Sequence, residues 1–168
     1  MKQRTLGLAL LAALTLQVVI LAGVFVNGFY PLCLGKEIRV ETRPVDPRDL
    51  FRGNYARLGY DFSTLPATGF RPGDVIYLPL EQDGDLWRGL TPSHQPPAQG
   101  LYLRGRVSGL PWGGTRRVTY GIEALFAPKE KALQLERELR DGAVAVLKVA
   151  PNGRAALVTV ETEAVNSE

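Results

Sequence analysis

The sequence is poor in the side chains that build metal and redox centres: it holds one cysteine and one histidine. Cys33, standing alone, excludes an intramolecular disulfide and any Cys-based metal site. His94 lies in the Pro-rich stretch Thr91–Gly100, so a His-based metal site or a Ser-His-Asp triad lacks support. A surplus of one charge is missing too. The formal net charge is +3, Lys and Arg interleave with Asp and Glu, and no dense basic run exists, so a nucleic-acid partner is not expected. Gly113-Gly114-Thr115-Arg116-Arg117 lacks the Lys-Ser/Thr of a phosphate-binding loop and reads as a hairpin turn. No cofactor is expected from this inventory.

One long apolar run stands out. Leu6 to Val26 carries no charge and is interrupted only by Thr15 and Gln17. At ~1.5 Å per residue it extends roughly 31 Å, the thickness of a bilayer's hydrocarbon core. Lys2 and Arg4 precede it, so the positive-inside rule keeps the N-terminus cytoplasmic and exports the rest, with Phe29 and Tyr30 at the far interface. The expected location is the inner membrane, crossed once. A cleaved signal peptide has a shorter apolar region and a small-x-small cleavage site, and Val24–Pro31 offers no Ala-x-Ala, so a retained anchor is favoured. Leu32 precedes Cys33 where lipidation signals carry Gly or Ala, which speaks against a lipid on that thiol.

Beyond the anchor the pattern is mainly β. Gly and Pro are abundant, which suits short strands and tight turns. Ile38, Val40 and Thr42 alternate with Arg39, Glu41 and Arg43, as in a half-buried strand. Ala56–Phe62 predicts a second strand with Leu58, Tyr60 and Phe62 inward. Val75–Leu80 and Leu86–Leu90 flank Asp83-Gly84, a strong hairpin signal. Leu101–Val107 alternates again, Leu110–Thr115 reads as a turn, and Arg116–Ile122 follows. Lys129–Asp141 predicts one amphipathic helix, opened by Pro128 and stopped by Gly142. Ala143–Val149 and Arg154–Thr162 form a final hairpin around Asn152-Gly153. The expected fold is one N-terminal transmembrane helix plus a small β-barrel or β-sandwich domain of about eight strands with one amphipathic α-helix. Residues 1–30 form the cytoplasmic N-terminus and anchor, 36–163 the extracytoplasmic domain, and 164–168 a tail.

The most distinctive stretch runs from Asp46 to Tyr60 (DPRDLFRGNYARLGY). Gly53, Tyr55, Leu58 and Tyr60 match the signature of the GDYXXLXY family of membrane-anchored bacterial proteins, with Asn54 where the family has Asp. The run Asp46–Arg52 also resembles the family, as does Tyr120-Gly121-Ile122-Glu123 followed by Phe126, Pro128 and a charged helix. The resemblance implies topology and domain identity, not a chemistry. It also implies a partner, because family members are associated with multi-spanning membrane proteins.

The residues themselves read structurally first. Leu58 and Tyr60 share a strand face and belong to the core, whereas Tyr55 has opposite parity. Gly53 relaxes the backbone, and Asn54 can accept bonds from nearby N–H groups. Asn54 has no charge, so it cannot act as a general base or a strong hard-cation ligand. Arg48, Asp49 and Arg52 form a charged cluster, accounted for by an Asp49–Arg ion pair or by a surface for an anionic ligand or partner. The candidate functional motif is thus Arg48, Asp49, Arg52, Gly53, Asn54, Tyr55, Leu58 and Tyr60. The expected function is that of an accessory or interaction protein, in contact with the bilayer and a multi-spanning partner. Two alternatives stay open: an envelope enzyme using Asp46, Asp49, Asp61 and Asp74, and a glycan- or lipid-binding module using Trp87, Trp112 and Tyr102.

Overall fold

A helix with no charge in its middle turns and no polar face has nothing to bury in water, and α1 (Lys2–Leu34) stands out from the rest of the chain accordingly. The computed structural model describes residues 2–43, 55–126 and 143–162. Within α1, Leu6–Leu34 is long and apolar enough to cross a membrane, and none of that apolar window is covered by protein. The Thr15 hydroxyl is satisfied within the helix, donating to the Leu11 carbonyl at 2.9 Å.

The remainder is mainly β, ten strands among the described residues. β1 (Lys36–Thr42), β9 (Ala143–Val149) and β10 (Ala155–Thr162) form one antiparallel sheet with β9 in the middle. β2 (Tyr55–Arg57) pairs with β8 (Ala124–Phe126). The five-stranded sheet is ordered β3 (Thr64–Pro66), β7 (Thr115–Thr119), β6 (Tyr102–Trp112), β4 (Val75–Asp83) and β5 (Leu86–Gly89), curled into a half-barrel. Ile38 and Val40 of β1 and Leu147 and Val149 of β9 join Ile76, Leu78, Leu103, Val107 and Val118 of the larger sheet in a single apolar core. The period-two alternation seen in the sequence decides which face turns inward, because successive strand side chains point to opposite sides.

Three details differ from the sequence expectation. The strand expected over Ala56–Phe62 is shorter: it ends at Arg57, and Asp61–Ser63 turn as a 3₁₀ helix. Tyr60 and Ser63 tie that turn, with the Ser63 N–H donating to the Tyr60 carbonyl at 2.9 Å and the Tyr60 N–H to Ser63 Oγ at 3.0 Å. The turn expected at Leu110–Thr115 is confined to Gly113-Gly114, because β6 continues to Trp112 through an irregularity after Ser108. The last hairpin pairs Val149 with Ala155, so residues 150–154 all belong to its loop. The amphipathic helix expected over Lys129–Asp141 lies outside the described residues.

Two glycines fix how the parts meet. A Cβ on Gly105 would sit 2.6 Å from the Tyr120 ring and 2.6 Å from Val118, inside the core. At Gly35, the one residue between α1 and β1, a Cβ would fall 2.2 Å from the Pro31 carbonyl oxygen and 2.9 Å from Lys148. Overpacking of this kind costs about 1–3 kcal/mol. Gly105→Ala should therefore lower the melting temperature of the purified protein clearly, whereas Gly84→Ala, where a Cβ meets nothing within 4 Å but sits at a φ of +62°, should cost less. Circular dichroism melts of the two variants check this ordering.

Candidate functional site

The two sequence segments that stand out, Gly53–Tyr60 and Tyr120–Glu123, are neighbours in space. Tyr55 faces Phe126 and Arg57 faces Ala124 in the β2–β8 ladder. Past the ladder the Leu58 N–H donates to the Glu123 carbonyl at 2.9 Å, and the Tyr60 hydroxyl donates to the Ile122 carbonyl at 2.9 Å. Leu58 and Tyr60 are buried, and the Gly59 carbonyl accepts from the Arg43 N–H at 2.9 Å, which joins the motif to the end of β1. Arg43 also forms an ion pair with Asp61.

Glu123 organises the opposite side of this corner. Its carboxylate accepts from the Tyr120 N–H and, at 2.9 Å, from the Gly121 N–H. Gly121 takes a φ of +87°, which a side chain would resist. Phe62 stacks on Tyr60 with ring centres 5.2 Å apart and meets Tyr120 edge-on at 5.4 Å. The Tyr120 hydroxyl donates to the Phe62 carbonyl at 3.3 Å. Burial, reinforced by the Glu123 charge, holds both tyrosine hydroxyls protonated far above their ordinary value of 10.0.

A second site lies where α1 meets the sheets. The Lys148 ammonium donates to the Leu32 carbonyl at 3.1 Å, satisfying one of the carbonyls left open at the helix end. Five residues earlier in the helix, the Arg154 guanidinium donates to Asn27 Oδ1. Beside this contact is a cleft of about 470 Å³ whose walls include Asn27, Arg104, Arg106, Tyr120 and Arg154. The hairpin loop that carries Arg154 is held against β6 by an Arg104 N–H to Gly153 carbonyl bond of 2.6 Å. Gly153 packs so closely on Tyr102 that a Cβ would lie 2.3 Å from its ring.

Of the residues singled out by sequence, Leu58 and Tyr60 are core, and Tyr55 is placed by its backbone in β2. Arg48, Asp49, Arg52, Gly53 and Asn54 lie outside the described residues, as does Asp46. Asp61 is engaged by Arg43, and Asp74 Oδ2 accepts from the Arg71 N–H at 2.8 Å. Among the described residues no three His, Cys, Asp or Glu side chains converge as metal ligands would. Lys36 sits over the Trp87 ring at 4.6 Å, and Trp87 lines an apolar groove of about 660 Å³ with Leu34, Leu80 and Leu101. Tyr102 packs instead on Tyr77, with ring centres 5.7 Å apart. Arg104, Arg106 and Arg154 were not legible as a group, because alternation along one strand marks an exposed arginine without saying which loop will fold beside it.

Two outcomes test the corner. Tyr60→Phe leaves the Ile122 carbonyl buried without a donor and should cost about 1–2 kcal/mol in chemical unfolding. The raised tyrosine values mean that their contribution to stability is whole below pH 10.0, the ordinary value, and is lost as pH climbs towards the folded-state value. Alkaline unfolding followed at the tyrosinate absorbance should thus show these two groups ionising only as the fold opens. In a Tyr60→Phe/Tyr120→Phe variant the decline above pH 10.0 should be shallower.

No curated protein and no solved structure matches the chain. The family model described as GDYXXLXY protein matches residues 17–160, a span that takes in the second half of α1, the corner and all but the last two residues of β10. The chain belongs to the GDYXXLXY protein family.

Proposed function

We propose that this protein is a single-pass, membrane-anchored accessory protein whose helix and β domain together form a contact surface for a multi-spanning membrane protein. The N-terminus is cytoplasmic in this reading, supported by Lys2 and Arg4 ahead of the apolar run, and the β domain lies on the outer side of the inner membrane.

The observation that carries the reading is the seam between helix and domain. Only Gly35 separates α1 from β1, and a flexible tether needs more chain than that. Lys148 and Arg154 bind the helix at Leu32 and Asn27, so the domain is positioned relative to the membrane segment. Meanwhile the apolar side chains from Leu6 to Val26 stay uncovered along the helix. In a bilayer such a surface is available to lipid and to neighbouring helices, whose association rests on packing.

The test uses the intact protein, expressed at native level and purified in mild detergent. An integral-membrane partner should co-purify with it. Replacing Leu6–Val26 by an unrelated apolar helix, with Asn27–Leu34 kept, should lower recovery at least severalfold. Undiminished recovery would reduce the helix to a tether, and repeated recovery of no partner from the intact protein would overturn the reading.

A further inference from the structure

The cleft beside the helix is lined by three arginines and by no acidic side chain. Among the described residues none of the three pairs with a carboxylate: Arg154 donates to Asn27, and Arg106 Nη1 to the Gly73 carbonyl at 2.9 Å. The nearby carboxylate of Glu123 is already occupied by the N–H groups of Tyr120 and Gly121. Three other arginines do pair with carboxylates, Arg39 with Glu161, Arg43 with Asp61, and Arg88 with Glu81 and Asp83, whereas Arg71, Arg116 and Arg117 stand outside the cleft without such a pair among the described residues. Three converging guanidinium groups left uncompensated repel one another unless an anion joins them. Guanidinium offers paired N–H donors that match phosphate oxygens.

The depth of the cleft identifies which anion. Asn27 is the first polar residue after the uncharged run that ends at Val26, and that run fills a hydrocarbon core of roughly 30 Å. Asn27 therefore marks the level where hydrocarbon gives way to headgroups, and Arg154 touches it there. Cations at this level reach phosphates directly, as interfacial arginines do. We propose that Arg104, Arg106 and Arg154 form a binding site for the phosphate of an anionic phospholipid at the outer interface. The bound headgroup bridges the β9–β10 loop, strand β6 and the helix, and so holds the domain down on the membrane. This inference rests on the anchoring proposed above.

The intact protein, reconstituted in nanodiscs of equal phosphatidylglycerol and phosphatidylcholine, tests it. After gentle delipidation, native mass spectrometry should find retained phosphatidylglycerol enriched about fivefold over the bulk mixture. Arg104→Gln/Arg154→Gln should bring the retained lipid to the bulk ratio, whereas Arg88→Gln/Arg117→Gln, which removes the same two charges outside the cleft, should leave the enrichment intact. Equal enrichment in wild type and double variant overturns the site. Binding of inorganic phosphate to the same arginines in detergent, with no lipid enrichment, overturns the lipid as occupant and leaves a soluble phosphate. Alkaline carbonate extraction of the parent membranes separates the two readings. Protein released there refutes the anchoring, while protein retained without lipid preference refutes this inference alone.

Discussion

The junction at Gly35 is the constraint on which the rest of the molecule depends. A helix end exposes carbonyls that need partners, and a strand start needs an edge to pair with. Here both needs are met within a single residue of one another. Lys148 closes the Leu32 carbonyl, Gly35 donates to Pro31, and Lys36 opens the β1–β9 ladder opposite Val149. Pro31 cannot donate to the Asn27 carbonyl, so the α1 ladder lacks one hydrogen bond where the domain grips the helix. Any side chain at position 35 would push the helix end and β9 apart. The strand nearest the helix is also the central strand of the small sheet, so a displaced junction would be felt in the core.

The same economy of contacts explains why the signature stretch is architectural. Strand β2 is three residues long and cannot hold itself in place. It is fixed by β8 beside it and by Tyr60 at its exit, whose hydroxyl reaches the Ile122 carbonyl in the loop before β8. Glu123 pins that loop from within by binding the backbone of Tyr120 and Gly121. Apart from the exposed Gly121 N–H, these groups are buried or half-buried polar atoms that would be costly to leave unpaired. The Tyr60–Phe62–Tyr120 ring cluster then seals the corner against the larger sheet.

Electrostatically the domain has two kinds of surface. Along β1, β5 and β10 arginines alternate with acidic partners in exposed pairs, which add little to stability but leave no strong local field. Arg104, Arg106 and Arg154 have no such pairs among the described residues, and these three line one cleft beside the helix. A chain with a formal net charge of only +3 can therefore still present a concentrated positive site, because net charge says nothing about where charges gather.

Sequence alone determined the elements whose signal is local. The uncharged run of Leu6–Val26 specifies an exposed apolar helix, and the alternation at Ile38–Thr42 and Leu101–Val107 specifies strands and their inward faces. The inward parity of Leu58 and Tyr60 was legible for the same reason. The resemblance of Tyr120–Glu123 to the family of Gly53–Tyr60 marked both segments without saying that they touch. Tertiary structure alone decided the rest. The three-residue strands β2, β3 and β8 carry too few residues for a periodic pattern and exist because a neighbour supplies their hydrogen bonds. Phe62, in phase with Tyr60, left the strand because Ser63 drew the chain into a turn. The gathering of Arg104, Arg106 and Arg154 depends on a loop closing over β6 across about fifty residues of sequence, a distance that no local pattern encodes.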